Sequence, residues 1–144
     1  MSGAAKLPAD ILAFIDSYSR TWNTHDHRQL AVLFAEDADM VMGGVPRVEG
    51  REEIGAWWMT YFAGIDPGRR GTFELESARM IARDVWLLNV NTTTAGKGSD
   101  GEVLPTRLAR GTWILTRNRD DWCIQAMRGN PAVGESRSVP GSDR

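Results

Sequence analysis

The sequence predicts an α+β domain in which helices precede a sheet and cover one of its faces. Up to Gly64, three segments carry large apolar residues at the three- and four-residue spacing of an amphipathic helix. From Gly71 onward the pattern becomes extended, with four segments rich in β-branched and aromatic residues. Turns that contain Asp, Gly or Asn join these segments, as in an antiparallel meander. Helices followed by such a meander pack as two layers, so a helix-on-sheet fold is expected.

Each predicted helix has its own signals at its ends. The first runs from Pro8 to Asn23, since proline is well placed in a first helical turn. The second covers HDHRQLAVLFAE, where Asp26 is the expected N-cap and Gln29 completes a capping-box pattern. The third covers GREEIGAWWMTYFAG and ends at Gly64, because glycine often follows the last turn of a helix.

The predicted strands fall into a short pair and a long meander. ADMVM and RVEG form the pair around the turn GGVP, before the third helix. The meander consists of GTFELESARMIA, DVWLLNVNTTTA, LPTRLARGTWILTR and DWCIQAMRG. Residues 1–131 are therefore predicted to form a single domain. Residues 132–144 are polar and poor in large hydrophobic side chains, which predicts a disordered tail.

The composition is that of one soluble globular domain and argues against several classes of partner. The chain has 144 residues, 42% of them hydrophobic and 25% charged, so it can bury a core without disulfides or a metal. A net charge of −2 with no Lys/Arg cluster argues against nucleic acid as the main partner. A single cysteine, Cys123, fits a reducing cytoplasm. The N-terminal segment has charged residues inside its apolar run, so no membrane partner is expected.

Several stretches of this sequence resemble the nuclear transport factor 2-like superfamily. LFAEDADMVM followed by RVEGREEIGAWW matches its pattern, and PTRLARGTWIL and IQAMRGNP look like its SgcJ/EcaC-type branch, near the SnoaL-like polyketide cyclases. The resemblance extends from about Pro8 to Pro131. It implies a cone in which a curved sheet wraps around three helices and encloses one deep pocket. It leaves the activity open, because isomerases, dehydratases, cyclases and non-catalytic binders share this scaffold.

The acidic segment AEDADMVM decides whether the chain has an isomerase's base. Asp37 and Asp39 lie at the start of a strand, where solvated acids are common, and no calcium-type ligand spacing follows them. In isomerase-like members the catalytic carboxylate follows this segment on an inward-facing position. The resemblance aligns Met42 with it, whereas Asp39 has the opposite parity. Methionine cannot transfer a proton, so the usual isomerase base is missing.

One isomerase-like element survives on the same alignment. Tyr18 matches a first-helix tyrosine that donates a hydrogen bond to an oxyanion, although it could equally be a core residue whose hydroxyl has a protein partner. The second donor of those enzymes, an acid, aligns near Thr112, and no acid lies there. The complete isomerase mechanism is therefore not expected.

No metal or cofactor is predicted. His25 and His27 form an H-x-H pair in a polar turn, but a zinc site needs further ligands and the chain has no other histidine. GKGSDG matches a dinucleotide fingerprint in letters only, because a strand and not a helix follows it, so it is expected to be a hairpin loop. Cys123 is expected to be a small core residue of the last strand.

The aromatic residues predict either a packed core or a ligand pocket with aromatic walls. The predicted ligand-binding residues are Tyr18, Trp22, Met40, Met42, Trp57, Tyr61, Asn89, Arg110, Gln125 and Met127. Arg110 is the most informative, since a guanidinium in an apolar pocket needs an anionic partner. The preferred interpretation is a binding protein for a hydrophobic, aromatic or polyketide-like molecule. The alternative is a SnoaL-like cyclase or isomerase-type enzyme with Tyr18 and Arg110 as catalytic oxyanion donors.

The long strands also predict a homodimer. They carry large hydrophobic residues at both parities, whereas a sheet with one wet face should alternate cleanly between apolar and polar. The convex face is therefore expected to be covered by a second copy across a two-fold axis. The predicted apolar centre of that interface is Trp113, Leu115, Trp122 and Ile124.

Overall fold

A computed structural model describes residues 7–132, which form three helices and one sheet. The helices are α1 (Ala9–Trp22), α2 (His27–Ala31) and α3 (Arg51–Ala63). The strands are β1 (Phe34–Met42), β2 (Val48–Glu49), β3 (Arg69–Ala82), β4 (Val85–Gly96), β5 (Arg107–Asn118) and β6 (Asp121–Pro131). Apart from Ala132, which is buried, the predicted disordered tail lies outside the described residues.

The six strands form one sheet in the order β2-β1-β6-β5-β4-β3. All neighbours are antiparallel except β1 and β6, which are parallel and bring Met40 beside Met127. The helices contribute their apolar faces to the same core as the inward residues of the sheet. The predicted α+β fold, with helices on the concave face of a mostly antiparallel sheet, is confirmed.

Helix α1 is fixed to the sheet at its C-terminal end. Its buried stripe follows the predicted helical spacing and ends at Trp22. The next residue, Asn23, donates its side-chain N–H to the carbonyl oxygen of Gly71 at 3.0 Å. Its side-chain oxygen accepts the Gly71 N–H at 2.7 Å. A side chain on Gly71 would collide with the rings of Trp22 and Phe73, so this close approach requires glycine.

Helix α2 is shorter than predicted. Asp26 is its N-cap, as predicted, and accepts the backbone N–H groups of Arg28 and Gln29. The helix ends at Ala31 and does not continue through residue 36. The chain enters β1 at Phe34 instead, because pairing with β6 already begins at that residue. The strand predicted over ADMVM therefore starts four residues earlier.

The predicted centre of the dimer interface is wrong. Trp113, Leu115, Trp122 and Ile124 are 3%, 0%, 9% and 0% exposed within the single chain, and all belong to the helix-facing core. The outer face of β5 carries the residues between them, namely Thr112, Ile114 and Thr116. Both alternating sets of residues in this strand contain apolar side chains, so the sequence alone does not reveal which set faces the helices.

A β-bulge in β6 explains why both Ile124 and Met127 face the core. The register with β5 jumps from the pair Ile114–Ala126 to the pair Leu115–Ile124, which leaves Gln125 as an extra residue. Ile124 and Met127 can therefore both be buried although an odd number of positions separates them. Strict alternation would have placed them on opposite faces.

Candidate ligand-binding site

A cavity of about 430 Å³ lies between α1, α3 and the inner face of the sheet. One part of its wall is aromatic, and the rest consists mainly of small, polar and basic residues near the ends of the strands. The aromatic lining residues are Tyr18, Trp22, Trp57, Trp58, Tyr61, Phe73 and Trp113. Helices α1 and α3 can supply so many rings because aromatic residues recur along both at the spacing of one helical face.

The structure places most of the predicted site residues around this cavity. Those that line it are Tyr18, Trp22, Met42, Trp57, Tyr61, Arg110 and Met127. The other three, Met40, Asn89 and Gln125, do not line it. Met40 faces inward, but it is fully buried in the packed core.

The two polar residues outside the cavity are on the outer face of the sheet. Asn89 donates to the hydroxyl of Ser77 at 2.9 Å and accepts from the hydroxyl of Thr112 at 3.0 Å. Gln125, the extra residue of the bulge, donates to Asp37 at 2.8 Å. Their amide groups are therefore engaged with other side chains on the opposite side from the cavity.

Arg107, which the sequence prediction missed, lies on the cavity-facing side of β5. Arg110 borders the cavity through its strand, but it lies three positions from the inward-facing Trp113 and so alternates to the outer face. Arg107 lies six positions from Trp113, lines the cavity and pairs across the sheet with Thr94. The segment RLAR contains both arginines, and the correct inward assignment of Trp113 would have selected Arg107.

Tyr18 is the most enclosed polar group of the cavity wall. It is 1% exposed, and its ring packs 4.5 Å from the ring of Trp113 and edge-on to Phe73 at 5.1 Å, both between centroids. Burial raises the pKa of the Tyr18 phenol far above its ordinary value, and the nearby Tyr61 raises it further. The phenol is therefore neutral at physiological pH and able to donate a hydrogen bond.

Two residues of α3 form a flat aromatic wall. The rings of Trp57 and Tyr61 stack with centroids 5.5 Å apart and planes 9° from parallel. Both are only partly buried, unlike the adjacent Trp58, which is 2% exposed. The indole N–H of Trp58 has no hydrogen-bond partner among the described residues. Burial raises the pKa of Tyr61, while Arg107 and Arg69 oppose this shift.

Asp37 and Asp39 of AEDADMVM are on the outer face, away from the cavity. Asp39 accepts hydrogen bonds from Arg128 at 2.9 and 3.1 Å and from Arg47 at 3.1 Å. Its pKa is lowered mainly by the hydrogen bond from Arg128, with Arg47 adding to the effect against some desolvation. Asp37 accepts from Gln125. Both carboxylates thus stabilise contacts within the sheet.

The other motifs considered in the sequence, namely the histidine pair, GKGSDG and Cys123, do not line the cavity. The Nε2 of His25 lies 3.0 Å from the carbonyl oxygen of Arg69, and its ring stacks on Phe62. Within residues 7–132, no group of three or more His, Cys, Asp or Glu side chains could hold a metal ion. GKGSDG lies in the connection between β4 and β5, as the hairpin prediction required. Cys123 is only partly buried and lies beside Thr116 on the outer face, so it is not the core residue expected.

No helix in the described part of the chain is long and apolar enough to cross a membrane.

Comparison with known proteins gives the family and the fold. No curated protein matches the chain in sequence. Among solved structures, a putative calcium/calmodulin-dependent protein kinase II association domain from Xanthomonas campestris is 18% identical, with a TM-score of 0.73, covering 90% of this chain and 94% of its own. ActVI-ORFA from Streptomyces coelicolor is 16% identical, with a TM-score of 0.72, covering 87% and 96%. A Catenulispora acidiphila protein in complex with S-DNPA is 16% identical, with a TM-score of 0.70, covering 91% and 96%.

These structures share the cone-shaped fold, and others of similar shape are described as cystatin-like. The narrower SgcJ/EcaC-type assignment stays a prediction. The SnoaL-like domain family matches residues 11–131, almost the whole described chain. The protein therefore belongs to the SnoaL-like family of the nuclear transport factor 2-like superfamily.

Proposed function

We propose that the cavity binds a small, largely apolar molecule of an aromatic or polyketide-like type. A cavity of about 430 Å³ is of the size that holds drug-sized ligands. Its flat wall of Trp57 and Tyr61 suits a planar ring, because aromatic surfaces stack in offset or edge-on geometry. Membership of the SnoaL-like family supports the proposal, as does the similar Catenulispora acidiphila structure, which is in complex with S-DNPA.

Binding without catalysis is favoured by the chemistry of the lining. No aspartate, glutamate or histidine is among the described residues that line the cavity. Proton abstraction from a carbon acid normally needs such a base within hydrogen-bond reach of the substrate. The lining offers donors instead, including the phenols of Tyr18 and Tyr61 and the guanidinium of Arg107. Such a site can hold a molecule and polarise it, but it lacks the group that would take its proton.

A neutral fluorescent probe tests this proposal directly. N-phenyl-1-naphthylamine emits strongly in apolar surroundings, so saturable binding of one probe per chain is the expected result. Ala109→Phe, which places a ring in the cavity, should weaken binding at least about tenfold, the loss of a few well-packed methylene groups. Ala95→Phe on the outer face of β4 is the matched control and should leave affinity unchanged. Equal affinities in the two variants, or no saturable binding to the wild type, would refute the proposal.

An enzymatic role is the second candidate, and the state of Tyr18 favours it. A neutral phenol buried at the cavity wall can stabilise an enolate oxygen as it forms, while a water molecule takes the α-proton because no side-chain base lines the described cavity. Arg110, predicted as the second donor, has outer-face parity, so Arg107 takes its place in this candidate. The binding role and the enzymatic role use the same cavity, so only a measurement of catalytic turnover distinguishes them.

The enzymatic candidate is tested by exchange of α-protons. If the site forms enolates, 2-tetralone in D2O should exchange its α-protons faster with the protein than with buffer alone, measured by proton NMR. Tyr18→Phe should then slow this exchange by about tenfold to a hundredfold while N-phenyl-1-naphthylamine still binds. Exchange at the buffer rate would leave only the binding role.

We also propose a homodimer through the outer face, now centred on different residues. Leu87, Ile114 and Ala126 form a row across three neighbouring strands and are only partly buried in the single chain. A face of this kind gains from being covered by a second copy. Light scattering at micromolar concentration should give twice 16.0 kDa. A wild-type mass of one chain would refute the dimer, and Ile114→Asp should produce that mass if the proposal holds.

A further inference from the structure

A buried arginine lies directly behind the cavity wall. Arg69 is 2% exposed, and its Nη1 donates to the hydroxyl of Thr94 at 3.0 Å. No ion pair joins it to a carboxylate among the described residues. A buried guanidinium without a paired carboxylate is costly, and Tyr61 and Asp66 offset part of that cost by electrostatic attraction without an ion-pair contact. Desolvation lowers the pKa of Arg69, and the nearby Arg107 lowers it further.

Arg69 determines what the hydroxyl of Thr94 can do. A threonine hydroxyl has one hydrogen and two lone pairs, and the guanidinium already occupies one lone pair. Guanidinium has no acceptor site, so the hydrogen of Thr94 must be directed elsewhere. No described residue accepts it, and Thr94 lines the cavity. The hydroxyl is therefore held as a donor toward the cavity.

Two further donors line the same cavity as Thr94. Arg107 is its cross-strand partner and lines the cavity while remaining accessible to solvent. The phenol of Tyr61 lines the same cavity and is only partly buried, so its O–H is a further donor of the lining. No acid is among the described lining residues, so this part of the cavity carries donors and positive charge. An anion is the ligand group that such a field favours.

We infer that Thr94, Arg107 and Tyr61 form an oxyanion subsite in the cavity, with Arg69 as the residue that positions Thr94. The subsite selects aromatic ligands that carry one carboxylate, sulfonate or similar oxyanion. The ring system lies against the aromatic walls, and the anionic group accepts from the hydroxyl of Thr94 and from the guanidinium of Arg107. This inference rests on the proposed binding function and adds the class of ligand.

Two probes with the same ring system test the inference. N-phenyl-1-naphthylamine is neutral, and 8-anilinonaphthalene-1-sulfonate adds one sulfonate to the same scaffold. The wild type should bind the sulfonate about tenfold more tightly, since a charge-assisted hydrogen bond contributes about that factor. Arg107→Gln should abolish the preference and leave the neutral probe unchanged. Arg70→Gln, which removes one charge on the outer face of β3 beside Ala95 and does not touch the lining, is the matched control and should keep the preference.

Variants of Thr94 separate ligand recognition from a structural role. Thr94→Val keeps the shape and removes the donor, so the preference for the sulfonate should fall, whereas Thr94→Ser keeps the donor and should retain it. Circular dichroism and thermal melting report whether Thr94→Val folds with Arg69 left unpartnered. Arg107→Gln leaves the Arg69–Thr94 contact untouched, so it tests the subsite even if Thr94→Val does not fold.

The outcomes distinguish this inference from the proposed function. If the neutral probe fails to bind the wild type, the proposed function itself is refuted. If the neutral probe binds and the sulfonate shows no advantage, only the oxyanion subsite is refuted. The oxyanion subsite is also refuted if the preference for the sulfonate is unchanged both in Arg107→Gln and in a folded Thr94→Val.

Discussion

The two faces of the sheet use their polar side chains in opposite ways. On the outer face the polar groups are bonded to one another in small sets. These are Ser77 with Asn89 and Thr112, Asp37 with Gln125 and Thr116, and Asp39 with Arg47 and Arg128. On the inner face the donors of Thr94 and Arg107 lie in an aromatic cavity with no acid beside them. Side chains that are already paired maintain the fold, whereas donors left open are available to a ligand.

The largest expected loss of stability comes from a tryptophan in the packed part of the inner face, compared with a tryptophan beside the cavity. Trp58 is 2% exposed, so Trp58→Ala should destabilise the protein by about 3–5 kcal/mol. Trp57→Ala should cost clearly less, because that ring is partly exposed beside a cavity. Urea unfolding with an unchanged m-value measures both. Equal losses would mean that Trp57 is as tightly packed as its neighbour.

Adjacent residues of β5 compare the two faces within one strand. Leu115 is fully buried, so Leu115→Ala should cost about 2–5 kcal/mol. Ile114→Ala should cost about 1 kcal/mol, since its side chain is already partly in water. Chemical denaturation at several protein concentrations gives both values. A loss for Ile114→Ala that grows with protein concentration would place it in a dimer interface, and a larger loss than for Leu115→Ala would reverse the assignment of faces.

The smallest effect belongs to the ion pairs of the outer face. The pKa of Asp39 is lowered from its ordinary value of 3.8, so its carboxylate stabilises the fold above that pH. This contribution is lost as the pH falls through the lower folded value. Asp39→Asn should therefore cost about 1 kcal/mol or less at pH 7, since the arginine partners are largely exposed. The difference from wild type should shrink between pH 7 and a pH below 3.8, both measured by urea unfolding. A constant difference at both pH values would exclude the ion pairs as its cause.

Most helices and strands could be predicted because their apolar residues recur at regular spacing along the sequence. The stripe of α1 and the cap of α2 were correct from sequence, since spacing and capping chemistry are local properties. The end of α2 was not, because no glycine or proline follows Ala31 to stop the helix. The chain leaves the helix there to pair with β6, a strand far away in sequence. Such tertiary pairing has no local signal.

The faces of β5 and β6 were the main failure at the site. Both strands place apolar side chains at consecutive positions, as in Trp113, Ile114 and Leu115, so alternation alone supports either assignment. The bulge at Gln125 then changes the parity again within β6. This single ambiguity selected Arg110 in place of Arg107 and placed four core residues in an interface. Cross-strand register, which a single sequence does not contain, resolves it.

The parallel pairing of β1 with β6 has a consequence for synthesis on the ribosome. Met40 meets Met127 only after nearly the whole domain has been translated. Until β6 emerges, β1 and β5 both present unpaired edges, and the helices have no complete sheet to cover. Closing such a long loop is entropically unfavourable and makes folding slow relative to local structure. The nascent chain therefore assembles its core late, and the last strand completes the sheet.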